Sequence, residues 1–569
     1  MERRTYIKLP NNMKNTLYKF SLICLLAWSH LPMQSQLNVF PCKIILSSDN
    51  IDFGSIQTID EANSTITITN ASMEAITIDT VMIFSRWPVF SLSDNSRFTL
   101  SPGEIKQLTF RFSTPHNMTH KGNAIIRVTC PVMRYSLTTT LIGKATFSDA
   151  EFAFTQNLEG QELYNALNKY LNESLMFSYS DARQFMFSKA DNVNSTVECV
   201  YTGKTIQTTG IPNINVFNTE HSWPQSKGAD QEPARSDIYI IYPSDAKANE
   251  RRSNHPYGIV NRSISWESGG SKLGLPQASA DTVFEPRDKM KGNVARSLLY
   301  FATRYGNRKG TFDNSGFLTN IESLIRSWNK LDPVDERERS RTISIASAQK
   351  RMNPYIAYPE MIDRMFRLST QPAFPLYPEP VTDPLGVFVQ LQDSMIVNIP
   401  IINKGNQAFK INTTEFRPFT DKARVLSIDT LIAPGNSTIA RVMITHPMPN
   451  GTVLRIRFAD GIPTLAIPLS TEATTSIQDK TNIDQLTVYP NPAQISDIQT
   501  VSFTVPDSTY LSAKVYDIKG AFVEDITSKI VWNGSNGSIV LHHSNYYKTL
   551  VLHLQSPTYS TTTLLHTGY

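Results

Sequence analysis

From about residue 40 to residue 148 the chain repeats one short pattern, and that pattern leaves few folds open to it. Runs such as STITITN, EAITIDTVMI, QLTFRF, NAIIRVTC and YSLTTTLIG are rich in β-branched and aromatic residues, and turn material such as SPGE and HKGN divides them. Successive side chains of a strand point to opposite faces, so apolar and polar residues in alternation mark strands with one buried face. A succession of such strands predicts a β-sandwich over residues 37–149. No cluster of titratable groups stands out in this block, which favours a structural or spacer role.

A second block of the same texture spans residues 385–478, with VFVQLQ, SMIVNIPIIN, KARVLSIDTLI, TIARVMIT, TVLRIRF and TLAIPL. Its turn LIAPGNST echoes FTLSPGEI in the first block and marks a weak internal repeat. Both blocks are expected to be immunoglobulin-like β-sandwiches. Between them, residues 150–370 change character. LEGQELYNALNKYLNES and VARSLLYFATRY place apolar residues near helical spacing, and tryptophans and compact polar motifs fall here. FPLYPEPVTDPLG then reads as a linker, residues 371–384, because proline resists both helix and central strand. The last stretch, 483–569, offers VYPNP as an extended entry strand and DIKG as a tight turn, which predicts a small β-domain. A chain of 569 residues is too long for one core, so these blocks are read as separate domains.

Near the N-terminus, basic Lys8, Lys14 and Lys19 precede the apolar stretch FSLICLLAWS, and MQSQ follows it, the layout of a signal peptide over residues 1–36. That stretch falls short of the roughly 20 residues a membrane span needs, so export is expected and a stable span is not. Cys24 lies in the segment expected to be removed. Cys42, Cys130 and Cys199 then allow at most one disulfide with one thiol left over, and their spacing is not that of a zinc site. The net charge of +4, from 54 basic and 50 acidic residues, permits nucleic acid as a partner without indicating it.

Chemistry is expected in the middle, at residues 218–226, NTEHSWPQS. In extended backbone Glu220 and His221 face opposite ways, which suits a division of labour. A histidine can take a proton from water near neutral pH because its free pKa is about 6.5. Glu220 offers a hard oxygen to a divalent ion, and Asn249, in SDIYIIYPSDAKANERRSNHPYG, can add its amide oxygen. Waters and a phosphate oxygen would complete the shell that Mg2+ prefers. Trp223 and Pro224 are expected to fix the strand behind the histidine, and His255 to pack locally in its turn. Glu285, Asp288 and Arg296 are expected to form a structural ion network, and DERERSRTI, residues 335–343, a solvated helix face.

The pieces YTGK, TEHSWPQS, SDIYIIYPSDAKANERRSNHPYG, VFEPRDKMKGNVAR, WNKLDPVDERERSR and RMNPYIAYPE occur in that order. On them, the segment from about 155 to 365 resembles the bacterial endonuclease I family, secreted or periplasmic DNA and RNA nucleases with a ββα-metal, or His-Me finger, active site. The resemblance implies that His221 is the general base, that Glu220 and Asn249 hold one catalytic Mg2+, with Mn2+ or Ca2+ as alternatives, and that cleavage leaves 5′-phosphate ends. It makes Arg235, Arg251 and Arg252 candidates for gripping phosphate, with Arg252 the best placed. The chain departs from the family pattern at Asp237-Ile238-Tyr239-Ile240, where Tyr239 and Ile240 replace polar residues, and a supporting hydrogen bond to the metal helix or the base is expected to be lost.

Through YPNP and DIKG the last stretch resembles the C-terminal sorting domain of the type IX, or Por, secretion system of Bacteroidota, although it closes LLHTGY where such domains often close on a basic residue. The expected architecture is therefore multidomain: an α+β ββα-metal nuclease domain flanked by immunoglobulin-like β-sandwiches, with a small C-terminal β-domain. The expected product is a nonspecific endonuclease acting on DNA, RNA or both, secreted or held at the surface of a Gram-negative bacterium of Bacteroidota type. The alternative is a catalytically decayed surface protein that binds nucleic acid or glycans. A peptidase or esterase lacks its residues, since neither a G-x-S-x-G elbow nor an HExxH helix is present.

Overall fold

The computed structural model describes residues 42–567 apart from 278, 308–315, 391–393, 460–461, 463, 472–483, 490–497, 505–510, 518–521, 527–529, 534–535, 543–547 and 556–559. The expected signal peptide, most of YPNP and most of DIKG lie outside the described residues.

In the first sandwich the strand Glu61–Asn70 buries alternate residues toward its end, Ile66, Ile68 and Asn70. It belongs to a sheet ordered Ile44–Leu46, Glu61–Asn70, Ile105–Ser113, Phe90–Leu92. The facing sheet runs Phe98–Leu100, Ile76–Ser85, Thr119–Cys130, Met133–Thr146, and Asn50–Gln57 joins its last strand in parallel. Ile68, Phe110 and Phe112 meet Ile78, Ile126 and Leu141 in one core. A Cys42–Cys130 disulfide joins the two sheets, and Cys199 is a buried free thiol, which is the one pair that three cysteines allow.

The second block folds on the same device as the first. Asn70 Nδ2 donates to the carbonyls of Glu74 at 2.8 Å and Leu100 at 3.0 Å, and Asn403 Nδ2 donates to those of Gln407 at 2.8 Å and Ile432 at 3.0 Å. The N–H groups of Gly103 and Gly435, the glycines of the two echoing turns, donate to the carbonyls of Asn70 and Asn403, each at 2.8 Å. The internal repeat is thus a repeated hydrogen-bonded corner.

The two sandwiches are not separate beads. The strand Val387–Val389 pairs antiparallel with Met133–Thr146 and parallel with Leu465–Ser470, so one ten-stranded sheet runs through both. Residues 371–384, expected as a linker, are fastened along their length. Pro380–Val381 pairs with Met395–Asn403, and buried Asp383 accepts from Arg127 Nε at 2.9 Å, Arg127 Nη2 at 2.6 Å and Ser136 Oγ at 2.6 Å. Proline bars helix here but allows an edge strand.

The middle segment is mixed α and β around its own core. The helix Lys291–Tyr305 is buried along its whole length and packs between Gly160–Asn172 and Glu322–Leu331. The helix Glu336–Gln349 shows the solvated face expected of DERERSRTI at Glu336, Arg337, Arg339 and Ser340, but its opposite side turns inward. Its Glu338 is buried against Arg296, Nη2 to Oε2 2.5 Å, and its Arg341 against Asp191, Nε to Oδ1 2.9 Å. Charges this deep persist because each is paired. The network expected of Glu285, Asp288 and Arg296 is structural but split. Lys291 bridges Glu285 at 2.7 Å and Asp288 at 2.8 Å, while Arg296 turns to Glu338.

The last strands form two four-stranded antiparallel sheets, whose Val501, Phe503, Val515, Ile539 and Leu552 share a core. Among the described residues no helix is long and apolar enough to cross a membrane.

Candidate active site

Phe217–His221 pairs antiparallel with Ile241–Asp245, setting Glu220 opposite Tyr242 and His221 opposite Ile241. The helix Ala246–Arg252 follows at once, because the Asp245 side chain caps it by accepting from the Ala248 N–H at 3.1 Å. It packs back on the first strand. Trp223 anchors the exit from that strand, stacked on Phe301 with ring centroids 4.2 Å apart and donating Nε1–H to the Lys227 carbonyl at 2.9 Å.

Glu220 and His221 do face opposite ways. The Glu220 carboxylate is buried, and its Oε1 accepts from the Tyr201 hydroxyl at 2.8 Å and lies 2.9 Å from Arg252 Nε. Tyr201 meets the Tyr257 hydroxyl at 3.0 Å, and Tyr257 donates to the Ser222 carbonyl at 3.1 Å. Burial pushes the Glu220 carboxyl up to about 7, although Arg252 and Tyr201 both pull it down. Neither Glu220 Oε2 nor the Asn249 side-chain amide, which sits half-buried on the helix, has a hydrogen-bond partner among the described residues.

On the other face, His221 Nε2 lies 3.0 Å from the Arg235 carbonyl. A carbonyl oxygen only accepts, so Nε2 carries the proton and Nδ1 keeps its lone pair, to which Gln225 Nε2 donates at 3.2 Å. Burial lowers the imidazole to about 4, helped by the charges of Arg235 and Arg252, so the ring is neutral at neutral pH. Tyr179 lies against that ring, centroids 5.8 Å apart at 26°, and the exposed Arg235 guanidinium sits 4.5 Å over Tyr179.

Of the residues expected from sequence, the structure brings Glu220 to Arg252 and His221 to the backbone of Arg235, and it puts Asn249 on the adjoining helix. Arg252 corrects the expectation made of it. It is fully buried beside Glu220 and donates to the carbonyls of Ser222 at 2.9 Å and Ser253 at 2.7 Å, so it braces the strand and helix rather than facing open space. Arg235 and Arg251 are the exposed ones. The Tyr239-Ile240 departure is absorbed into the core. Tyr239 donates to the Arg351 carbonyl at 2.9 Å, the Ile240 carbonyl accepts from the Ser222 N–H at 2.9 Å, and Asp237 accepts from Arg304 at 2.6 Å. Sequence reasoning missed Tyr201, Tyr257, Tyr179 and Gln225. Tyr201, Tyr257 and Gln225 stand inside motifs already noticed, YTGK, SNHPYG and TEHSWPQS, but nothing in their spacing tells that a tyrosine hydroxyl meets a carboxylate or that the carboxamide meets the imidazole.

The donors fit a hard divalent ion, since a carboxylate and an amide oxygen are both hard ligands and each keeps an oxygen without a partner among the described residues. Among the described residues no group of three or more His, Cys, Asp or Glu side chains gathers at one point, so an ion here would rest on few protein oxygens.

An extracellular ribonuclease of Bacillus subtilis (strain 168) is 26% identical over 305 residues, covering 50% of this chain and 96% of that protein. An extracellular ribonuclease of Bacillus amyloliquefaciens is 29% identical over 226 residues, 36% of this chain and 74% of that one. A periplasmic deoxyribonuclease of Aeromonas hydrophila is 24% identical over 134 residues, 23% of this chain and 51% of that one. The segment that carries Glu220, His221 and Asn249, residues 152–360, matches the family model of Endonuclease I.

Proposed function

We propose that the chain is an exported endonuclease that hydrolyses phosphodiester bonds of DNA, RNA or both with one divalent ion, Mg2+ ahead of Mn2+ or Ca2+, and leaves 5′-phosphate ends. The observation that carries this reading is the state of His221. It is neutral, locked through Nε2 to a backbone carbonyl, and left with Nδ1 as its only basic atom. Nδ1 takes a proton from water as the water oxygen attacks phosphorus and the bond to the 3′ oxygen breaks. Glu220 and Asn249 are the side chains that would hold the ion, which when bound supplies charge to the transition state and the leaving oxygen. Arg235 meets the phosphate from the exposed rim, and Arg252, which pulls the Glu220 carboxyl down against burial, helps hold it in place. Relatives named for ribonuclease and for deoxyribonuclease activity support either nucleic acid as substrate. The test is incubation with plasmid DNA and with RNA across Mg2+, Mn2+ and Ca2+, with EDTA controls and end-group analysis of the products.

One observation favours the alternative. Glu220 already has a cationic partner in Arg252, as a decayed site that binds nucleic acid without cutting it would. Survival of both substrates in all three metals would establish that reading instead.

The N-terminal segment would export the chain, and the β-domain over 483–569 would address it to the type IX machinery. Support for the second step is the VYPNP and DIKG pattern together with a compact sandwich of its own. Deleting residues 483–569 should strand the protein in the periplasm of a host with that machinery, and surface delivery of the truncated chain would remove this part of the reading.

A further inference from the structure

We propose that Gln225 is a positioning residue that seats the attacking water on Nδ1 of His221. The inference rests on the hydrolytic reading of the same site and deepens it. The approaches to the imidazole are nearly all taken: the Arg235 carbonyl occupies Nε2 at 3.0 Å, and Tyr179 lies along the ring. The hydrogen-bonding position at Nδ1 is held by the Gln225 carboxamide at 3.2 Å. A water that is to give its proton to Nδ1 has to arrive where that amide now stands.

The chain around Gln225 is built so that only its side chain yields. Trp223 is buried and donates to the Lys227 carbonyl at 2.9 Å, the Lys227 N–H donates to the Pro224 carbonyl at 2.9 Å, and the Gly228 N–H donates to the Gln225 carbonyl at 3.0 Å. The Gln225 side chain itself is exposed. A shift of about one hydrogen-bond length, ~2.8 Å, opens the seat for a water between the amide and the imidazole. The Gln225 carboxamide, which now presents Nε2 to the ring, turns over so that Oε1 accepts one O–H of that water while the other O–H points at Nδ1, which leaves an oxygen lone pair for phosphorus. As the new P–O bond forms and the P–O3′ bond breaks, one proton passes to Nδ1 and the departing oxygen takes a proton from solvent. Nε2–H stays on the Arg235 carbonyl throughout, so the imidazolium is held as it forms. Without the amide the water still reaches Nδ1 but is free to turn, a loss felt in turnover rather than in substrate binding.

The experiment is a double-mutant cycle on the full chain with Gln225→Leu and His221→Ala, reading kcat, KM and thermal midpoint on DNA and RNA in Mg2+. The expected result is a fall in kcat of about tenfold or more for Gln225→Leu, within the range of a positioned proton-transfer group, with KM and midpoint unchanged. In the His221→Ala background the same substitution should then cost nothing further, because Gln225 acts through the imidazole. An unchanged kcat, a rise in KM alone, or the same fold-loss in both backgrounds would overturn the assignment while leaving the hydrolase intact. An inactive wild-type chain would instead bring down the hydrolase itself, and the role of Gln225 with it.

Discussion

The guanidinium of Arg252 and the carboxylate of Glu220 share one solvent-free space, Nε 2.9 Å from Oε1, with side chains 0% and 5% exposed. Breaking a buried pair leaves the survivor as an uncompensated charge, at a cost of about 3–5 kcal/mol. Arg252→Met should therefore lower the unfolding midpoint of the middle domain, and Glu220→Gln combined with it should recover part of the loss. Calorimetry of the two single variants and the double variant measures that coupling, and strictly additive losses would mean that the contact carries no energy.

His221 and Glu220 are neighbours in sequence but face different partners, and their variants should fail differently. His221→Ala should cut turnover by about 10²- to 10⁴-fold at any metal concentration. Glu220→Gln should raise the divalent concentration needed for half-maximal cleavage. Metal titrations of the two variants separate the roles, and a loss in Glu220→Gln that no metal concentration relieves would count against a ligand role.

Where the first sandwich meets the middle domain, His116 and His120 are buried beside Arg364, which donates to Asn117 and to the Thr155 carbonyl. Burial, with neighbouring positive charge, lowers both imidazoles from 6.5 to about 4. The unfolded chain therefore binds more protons than the folded one between those values, so this contribution to stability is complete above about pH 6.5 and drains away as the pH falls toward 4. The midpoint of unfolding should drop across that window. Changing both histidines to asparagine should flatten the drop, and an unaltered pH slope in that variant would place its origin elsewhere.

Much of this was legible in sequence, and what was not has a common cause. The alternation of Glu61–Asn70 and the apolar run in Lys291–Tyr305 are local signals, and each became the element it predicted. The order of Glu220, His221 and Asn249 was legible for the same reason. Contacts between distant residues were not. Nothing local to Arg252 tells that its charge turns inward to Glu220, and nothing local to Val387–Val389 tells that it joins two sandwiches into one sheet. Prolines correctly ruled out helix over 371–384, yet they are silent on Asp383, whose partner lies 256 positions away in Arg127.

That Asp383 contact is open to test. Burial alone would raise its carboxyl, but the hydrogen bonds from Arg127 and Ser136 hold it below the usual carboxylate range. Asp383→Ala leaves the Arg127 guanidinium buried without its bidentate partner and should cost about 3–5 kcal/mol. If the two sandwiches unfold as one unit through their shared sheet, that loss should lower a single transition for both. Hydrogen exchange should report it as faster exchange in Thr119–Cys130 and Met395–Asn403 together, and a change confined to one of these strands would show that the sandwiches unfold separately.

The repeated corner gives the sharpest comparison, because its two copies differ in only one respect that matters to a methyl group. Gly103 and Gly435 both hold left-handed backbone, φ 78° and 72°, as the turn requires to bring their N–H groups to Asn70 and Asn403. An alanine pays for that conformation at either site, about 1 kcal/mol. At Gly103 an added Cβ meets no atom within 4 Å, so Gly103→Ala should cost little beyond the backbone term. At Gly435 the same atom would stand 3.0 Å from the Lys121 Cβ, tighter than most side-chain contacts, so Lys121 must give way by a few tenths of an ångström where the second sandwich leans on the first. Gly435→Ala should therefore destabilise more than Gly103→Ala. Asparagine, which tolerates left-handed backbone, should be milder than alanine at Gly103 but not at Gly435. Urea midpoints for the four variants decide it, and equal losses at the two glycines would mean that the contact with Lys121 relaxes at no cost.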